Sequence, residues 1–527
     1  MGAVVGRKLL GPWPQSAAHR SGRSSRPPSP RRRQDGGPTV GRDRPWDQQR
    51  HTVRVLRADG TVVCRRKAVP TVESLGEVEQ AALMGATADT RLEIVIEPTG
   101  PAWLPIAVFF SSRGHTVDRV SSAKAADLRR FLRRHAKSNG IDADTLARLP
   151  LVDPAGLWPL QLPDAARAAL DRRVRACDRL TRQAATHKRR IKDLVHQLLP
   201  TSPLTGELGQ ADLAVLERWA DPHALVAAGR ARLQRVLATA SAGQQGAERA
   251  THWLAAARAA LELYGDHPAI AFTELAAEVT SEVRLLRATQ AELNVHASQR
   301  EACYRRVDPA ALARSLPGLA TIGAPALVAT MGKASRFATA AKFRAFTGLA
   351  PRASETGQSD RKGQPITKAG NKLLRTTLVR AADHARRQDP QLARIYWIQM
   401  VQRGKDHLGA LCVVAAHLAE RAWTVMDRAT PYVVCDTDGT PVTPAQAKAI
   451  IAEHWTVPEQ VRRQRRSRKG KAPQQVLTGH AHGARSATRR PSPRRPLLAT
   501  SPAPSSRPSR NLDRQASIGN QTITGRA

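Results

Sequence analysis

Apolar and polar residues alternate from His51 to Leu56 and again from Thr61 to Cys64, on either side of Ala58-Asp59-Gly60. A period of two predicts half-buried strands, and Asp-Gly supplies the positive φ of a tight turn, so this stretch reads as a hairpin. After a helical stretch, Leu92 to Ile96 is a continuous apolar run, predicting a buried strand that delivers Glu97 at its tip. Trp103 to Arg113 then reads as a helix, Thr116 to Val120 as a strand and Ala123 to Ala136 as a basic helix. Strands alternating with helices predict an α/β sheet domain over residues 46–155.

The pattern then changes period. Ala165 to Leu199 and Gln244 to Arg306 place apolar residues at helical spacing with hardly any Gly or Pro inside, predicting long helices across 160–306 that pair as an antiparallel coiled coil. Residues 307–430 read as a compact all-α domain, interrupted by a polar loop from Pro351 to Gly370. Residues 1–45 and most of 431–527 are rich in Arg, Pro, Ser and Gly without periodicity, and are expected to be disordered basic tails.

Charge narrows the partners. The formal charge of +39, from 83 Lys and Arg against 44 Asp and Glu, attracts phosphate backbones. No run of about 18 apolar residues stands out and the Arg-rich start lacks the apolar core of a signal peptide, so the chain is expected in the cytoplasm, with no membrane. The five cysteines, Cys64, Cys177, Cys303, Cys412 and Cys435, form no zinc-ligand pattern. With only 4% aromatic residues, nucleic-acid binding is expected to rest on Arg and Lys rather than on base stacking.

Two places carry candidate chemistry. Pro98 and Gly100 turn the chain away after Glu97, so its carboxylate is expected to project from the end of the sheet. About forty residues on, Asn139 and Asp142 are three apart and share a face if a helix begins there. Carboxylates converging on a cleft bind Mg²⁺ and suit phosphodiester chemistry, whereas the same residues also suit a solvated Glu and a helix cap. Further on, Gly318 and Gly323 bracket a turn whose amides suit either a DNA phosphate or an ordinary interhelical connection. The 351–370 loop sets the hydroxyls of Ser354, Thr356 and Ser359 beside Gly357, Arg361, Lys362 and Lys368. Those are the components of a phosphoryl-transfer nucleophile, and equally of a polar surface loop. Arg375 and Arg380 follow as candidate phosphate contacts.

The string Ile96-Glu97-Pro98-Thr99-Gly100, the segment Lys137 to Ala143, and the runs Leu316 to Gly323, Phe346 to Pro351 and Ile366 to Asn371 occur in an order and at intervals that resemble the insertion-sequence transposases of the IS-one-ten family. The resemblance covers roughly residues 46–430. It implies an RNase H-like (RuvC-like) domain with an Asp-Glu-Asp-Asp tetrad binding Mg²⁺, in which Glu97 is the second acid and Asp142 the fourth. It also implies a C-terminal transposase domain with a helix-hairpin-helix-like element and a serine nucleophile. Further implications are a structured non-coding guide RNA, a homo-oligomer with composite sites, and work on DNA at the bacterial nucleoid.

The chain departs from the pattern at three positions. The third acid falls on Asn139. The first falls near Pro45, where Asp43 and Asp47 are the nearest carboxylates, and the Arg/Pro/Ser-rich sequence ahead of Trp46 points to an altered first strand. The serine falls on Thr356, whose methyl group crowds in-line attack, with Ser354 and Ser359 as neighbours. A decayed copy that only binds DNA is the alternative expectation.

Overall fold

A computed structural model describes residues 50–97, 102–132, 138–204, 206–265, 267, 269–353 and 363–465 with their side chains, and Gly2–Lys8, Glu355–Thr356 and Ser359–Asp360 by backbone alone. The N-terminal part is an α/β sheet. The strands β1 (Gly2–Lys8), β2 (His51–Leu56), β3 (Val62–Ala68), β4 (Arg91–Ile96) and β5 (Thr116–Arg119) lie in the order β3-β2-β1-β4-β5. β2 and β3 form the expected antiparallel hairpin. Gly60 takes φ +83° at its turn, and the Asp59 carboxylate accepts from the Thr61 N–H at 2.8 Å and hydroxyl at 2.7 Å.

Helices α1 (Val72–Leu83) and α2 (Trp103–Ser112) cover one face, packing on Val53, Val55, Leu92, Ile94, Ile96 and Val117. Helices α3 (Ser122–Phe131) and α4 (Asn139–Val152) bring Leu128, Ala143, Leu146 and Leu149 onto Leu56, Val95 and Val120 of the other face. Strand β1 lies in a stretch expected to have no structure, and corrects that expectation. Its Ala-Val-Val run suits an extended backbone, and it pairs parallel to β2 and antiparallel to β4, satisfying both strands' inner edges.

The middle of the chain is helical, as its period requires. Helices α5 (Ala165–Leu198) and α9 (Phe272–Val307) run antiparallel, cross-linked by Arg173 with His296 at 3.1 Å, His187 with Glu282 at 2.6 Å and Arg190 with Glu278. Between them α6 (Gln210–Trp219), α7 (Pro222–Ala240) and α8 (Ala247–Tyr264) close a separate core around Trp253, which is fully buried.

The C-terminal helices are α10 (Leu312–Ser315), α11 (Gly323–Met331) and α12 (Ala340–Thr347), then, after a short hairpin of β6 (Glu355–Thr356) and β7 (Ser359–Asp360), α13 (Lys372–Ala385), α14 (Pro390–Trp397), α15 (His407–Arg428), α16 (Pro444–His454) and α17 (Glu459–Gln464). They share one core with Leu170 and Val174 of α5 and Cys303 and Tyr304 of α9. α15 is the one described helix long and apolar enough, by length and composition, to cross a membrane, although Glu420 and Arg421 interrupt its apolar run. Here it is the central core helix, with Ala410, Val414, Ala415, Leu418, Ala419 and Ala422 fully buried.

A second correction concerns 431–465, expected to belong to a disordered tail. Thr443 and Gln446 form a capping box that starts α16, while Ala447 and Val457 are buried and Tyr432 reaches into the domain.

Candidate functional site

Glu97 follows β4 directly and is half-buried. Because Ala3 pairs with Ile96 and Gly2 with Thr52, this tip of β4 lies at the end of the sheet where β2 begins. Helix α4 crosses β2, β1 and β4 on one face. Its last turn reaches the hairpin, with Leu151 Cδ1 3.8 Å from where a Cβ on Gly60 would stand. Glu97 thus stands at the tip of β4, and Asn139 and Asp142 stand in the first turn of the helix that packs on this sheet.

The side chains there have other partners. Ser138 caps α4 by accepting from the Ile141 N–H at 3.2 Å, and Asn139 is exposed. Asp142 accepts from the Arg129 guanidinium of α3 at 2.5 Å, the two side chains being 16% and 20% exposed. Asp144 faces Arg54 Nε of β2 at 3.0 Å, and Arg54 Nη2 stands 3.1 Å from where a Cβ on Gly140 would be.

Among the described residues no group of three or more His, Cys, Asp or Glu side chains could hold a metal ion. The described donors therefore do not fit a divalent ion as they stand: one carboxylate carries an internal cation and position 139 is an amide. Asp43 and Asp47, the expected sources of a first acid, lie outside the described residues, and β1 carries no acid in its sequence. Sequence reasoning missed Arg54 and Arg129, which no periodicity distinguishes from solvated arginines. It also missed Asp118, 1% exposed on β5; this residue pairs with Val95 and so shares its sheet face with Glu97.

The second candidate site is a hairpin built from the expected loop. Its base is a ladder in which the Lys368 N–H donates to Gly348 O at 3.1 Å, Thr367 to Ala350 at 2.8 Å and Arg352 to Pro365 at 3.0 Å. Two glycines make the close approach possible. Gly348 takes φ +75°, and a Cβ on Gly370 would stand 2.4 Å from Phe346 O and 2.6 Å from Gly348 N. Arg375 closes the base from α13, donating from Nη1 to Thr347 O at 3.2 Å and to Lys368 O at 3.1 Å. Lys368 itself is exposed and held at φ +57°, a costly conformation for a residue with a Cβ.

At the far end Glu355 pairs with Asp360 and Thr356 with Ser359. Thr356 and Ser359 are the innermost pair of this two-stranded ladder. Ser354, Gly357, Arg361 and Lys362 lie outside the described residues.

The glycine turn between α10 and α11 packs on α13. Gly318 has φ +76°, a Cβ there would stand 2.2 Å from Ala381 O, and its N–H donates to Gln388 Oε1 at 3.1 Å. A Cβ on Gly323 would meet Leu319 Cδ2 at 2.7 Å. Both glycines thus have packing roles, and the exposed part of the turn is Ala320 to Ile322.

Beneath the domain Asp389 is fully buried. Its Oδ1 caps α14 through the Leu392 N–H at 2.8 Å, and its Oδ2 accepts from Tyr432 Oη at 2.6 Å and Arg421 Nη1 at 3.1 Å. Burial pushes the Tyr432 phenol well above its ordinary range, so it stays protonated and remains a donor.

Two family models match the chain. A DEDD transposase model of the IS110 group covers residues 41–200, and one described as "Transposase IS116/IS110/IS902 family" covers 310–397. An "Insertion element IS110 uncharacterized 43.6 kDa protein" of Streptomyces coelicolor is 28% identical over 348 residues, which are 63% of this chain and 80% of that protein. A "Probable family 20 transposase" of Pseudomonas aeruginosa is 33% identical over 121 residues, 22% of this chain and 35% of that protein. The "Transposase for insertion sequence element IS1328" of Yersinia enterocolitica is 34% identical over 122 residues, 22% of this chain and 36% of that protein.

Proposed function

Because the chain belongs to the IS110 family of insertion-sequence transposases, which cleave DNA and transfer strands, we propose that it recombines an insertion sequence through a covalent link between DNA and the tip of the β6–β7 hairpin. The observation that carries this reading is the close-packed base beneath that hairpin, where two glycines in close approach and the Arg375 clamp join 346–352 to 365–370, with Thr356 in the innermost pair of β6 and β7. A nucleophile must be presented in fixed geometry to gain from proximity.

In the proposed step the Thr356 Oγ–phosphorus bond forms and a phosphorus–deoxyribose oxygen bond breaks, the leaving oxygen taking up a proton. Attack by a hydroxyl of the joining strand reverses the link and frees Thr356. Arg361, Lys362 and Lys368 neutralise the added charge on the phosphate. Arg380 and the exposed turn of Ala320 to Ile322 hold the backbone of the duplex.

We read the N-terminal sheet as RNase H-like. Its DEDD domain belongs to a metal-dependent class, and Mg²⁺ is the ion we propose, with Glu97, Asp142 and Asp47 as protein ligands and Asn139 beside them. A structured guide RNA, a homo-oligomer and a place at the bacterial nucleoid are proposed on the family resemblance, and the charge of +39 suits two polyanions.

Trapping on suicide DNA substrates, with adducts mapped by mass spectrometry, tests the central claim. Thr356→Ala abolishes the adduct while leaving salt-sensitive DNA binding intact, and Thr356→Ser retains or raises it. An adduct on Ser354 or Ser359 moves the nucleophile within the hairpin. The pairing of Asp142 with Arg129 and the amide at 139 favour a second reading, a copy that binds DNA without cutting it. No adduct with any substrate, metal or RNA leaves that one as the better reading.

A further inference from the structure

The start of α4 carries two carboxylates, Asp142 in its first turn and Asp144 in its second, and each faces an arginine from a different element: Arg129 of α3 on Asp142, and Arg54 of β2 on Asp144. The Asp142 pair is largely shielded, with the two side chains 16% and 20% exposed, so the attraction is screened less than it would be at the surface. Gly140, two residues before Asp142, lies beneath the Arg54 guanidinium, with Nη2 3.1 Å from where a Cβ would stand.

We propose that Arg129 is the resident cation of this site: its guanidinium occupies Asp142, and a divalent ion binds only by displacing it. The proposal rests on the reading of Asp142 as a metal ligand and adds a competitor built into the chain. A guanidinium donates fixed, directional hydrogen bonds to a carboxylate and has a permanent charge. It therefore supplies the counter-charge that a metal would supply, without geometry for phosphate transfer. The site is then neutralised in the metal-free protein and is opened by whatever moves Arg129. Backbone phosphates of a bound nucleic acid are the chemical class suited to that, since they compete for the same guanidinium.

The test is direct Mg²⁺ binding to the full-length chain, by calorimetry and by the Mg²⁺-induced shift in melting temperature, neither of which depends on activity. The wild type is expected to bind in the millimolar range. Arg129→Gln, checked for folding by circular dichroism, is expected to bind on the order of tenfold more tightly, the scale of effects on metal affinity from groups that contact ligands. Adding Asp142→Asn to Arg129→Gln is expected to remove the gain. Arg129→Lys keeps a cation at the same place and is expected to stay near the wild type.

Equal or weaker binding by Arg129→Gln overturns the proposal, as does a gain that survives Asp142→Asn. Micromolar binding by the wild type overturns it without any variant. Absence of Mg²⁺ binding in every protein, including Asn139→Asp, overturns it together with the metal reading of Asp142. Adduct formation at Thr356 is a separate measurement and is untouched by either result.

Discussion

The hairpin base in the C-terminal domain and the acidic end of the N-terminal sheet are both proposed to act on phosphodiesters, yet they are built in opposite ways. At the hairpin, backbone meets backbone: Gly370 has no room for a methyl group, and Arg375 spends its hydrogen bonds on two main-chain carbonyls. At the sheet end the close contacts are between flexible side chains, arginine on aspartate, which can exchange partners without moving the fold. One place is held by structure that cannot give, the other by structure that can. The difference teaches where each site is vulnerable: the first to changes of shape, the second to changes of charge.

Substitutions can break or sharpen that contrast. The largest effect is expected at Asp389, whose loss removes the fully buried carboxylate that caps α14 and accepts from both Arg421 and the Tyr432 hydroxyl. Asp389→Ala should destabilise the protein by about 3–5 kcal/mol in denaturant unfolding. Gly370→Ala comes next. It should cost about 1–3 kcal/mol by overpacking against Phe346 O, and should also abolish adduct formation because the hairpin base is displaced.

Arg375→Ala should be milder, about 1.5 kcal/mol, the low end for hydrogen bonds from a charged donor that is only half-buried, with adduct yield falling further than DNA affinity. A uniform loss of affinity instead would make Arg375 a phosphate contact. Gly140→Ala is the counterpart in the other domain. Its new methyl meets the side-chain tip of Arg54 and, in ordinary contact, Ser138 Oγ, and alanine gains up to about 1 kcal/mol of helix propensity, so its melting temperature should hardly change. A loss as large as that of Gly370→Ala would erase the contrast.

Much of this was legible in the sequence. The Asp59-Gly60 hairpin, the buried run ending at Glu97 and the long helices α5 and α9 all follow from local pattern, because period and turn chemistry decide them before any tertiary contact forms. The glycines of the C-terminal domain were visible as glycines, but not their reason. Only the fold shows that Gly318 is pressed against Ala381 and Gly370 against Phe346, since residues far apart in sequence meet there.

The rest depended on pairings that composition hides. Gly2–Lys8 reads as the start of an Arg-rich tail, and becomes a strand because β2 and β4 offer it two open edges. Residues 431–465 read as tail until Tyr432 finds Asp389, although the Thr443-Pro444 start with Gln446 was a helix signal in plain view. Arg129 was one arginine among many, and no spacing marks the one that reaches Asp142.

The antiparallel register of α5 and α9 has an engineering consequence. Fourteen residues separate Arg173 from His187 and fourteen separate their partners His296 and Glu282, so the two helices advance in step, about 21 Å over that interval. Arg190 and Glu278 still touch just before the small helices branch off. Everything between those two residues therefore enters and leaves the molecule through one narrow port. A short loop there would close the port, or a foreign domain with adjacent termini could be carried on it, with the core at the other end of the helices left undisturbed.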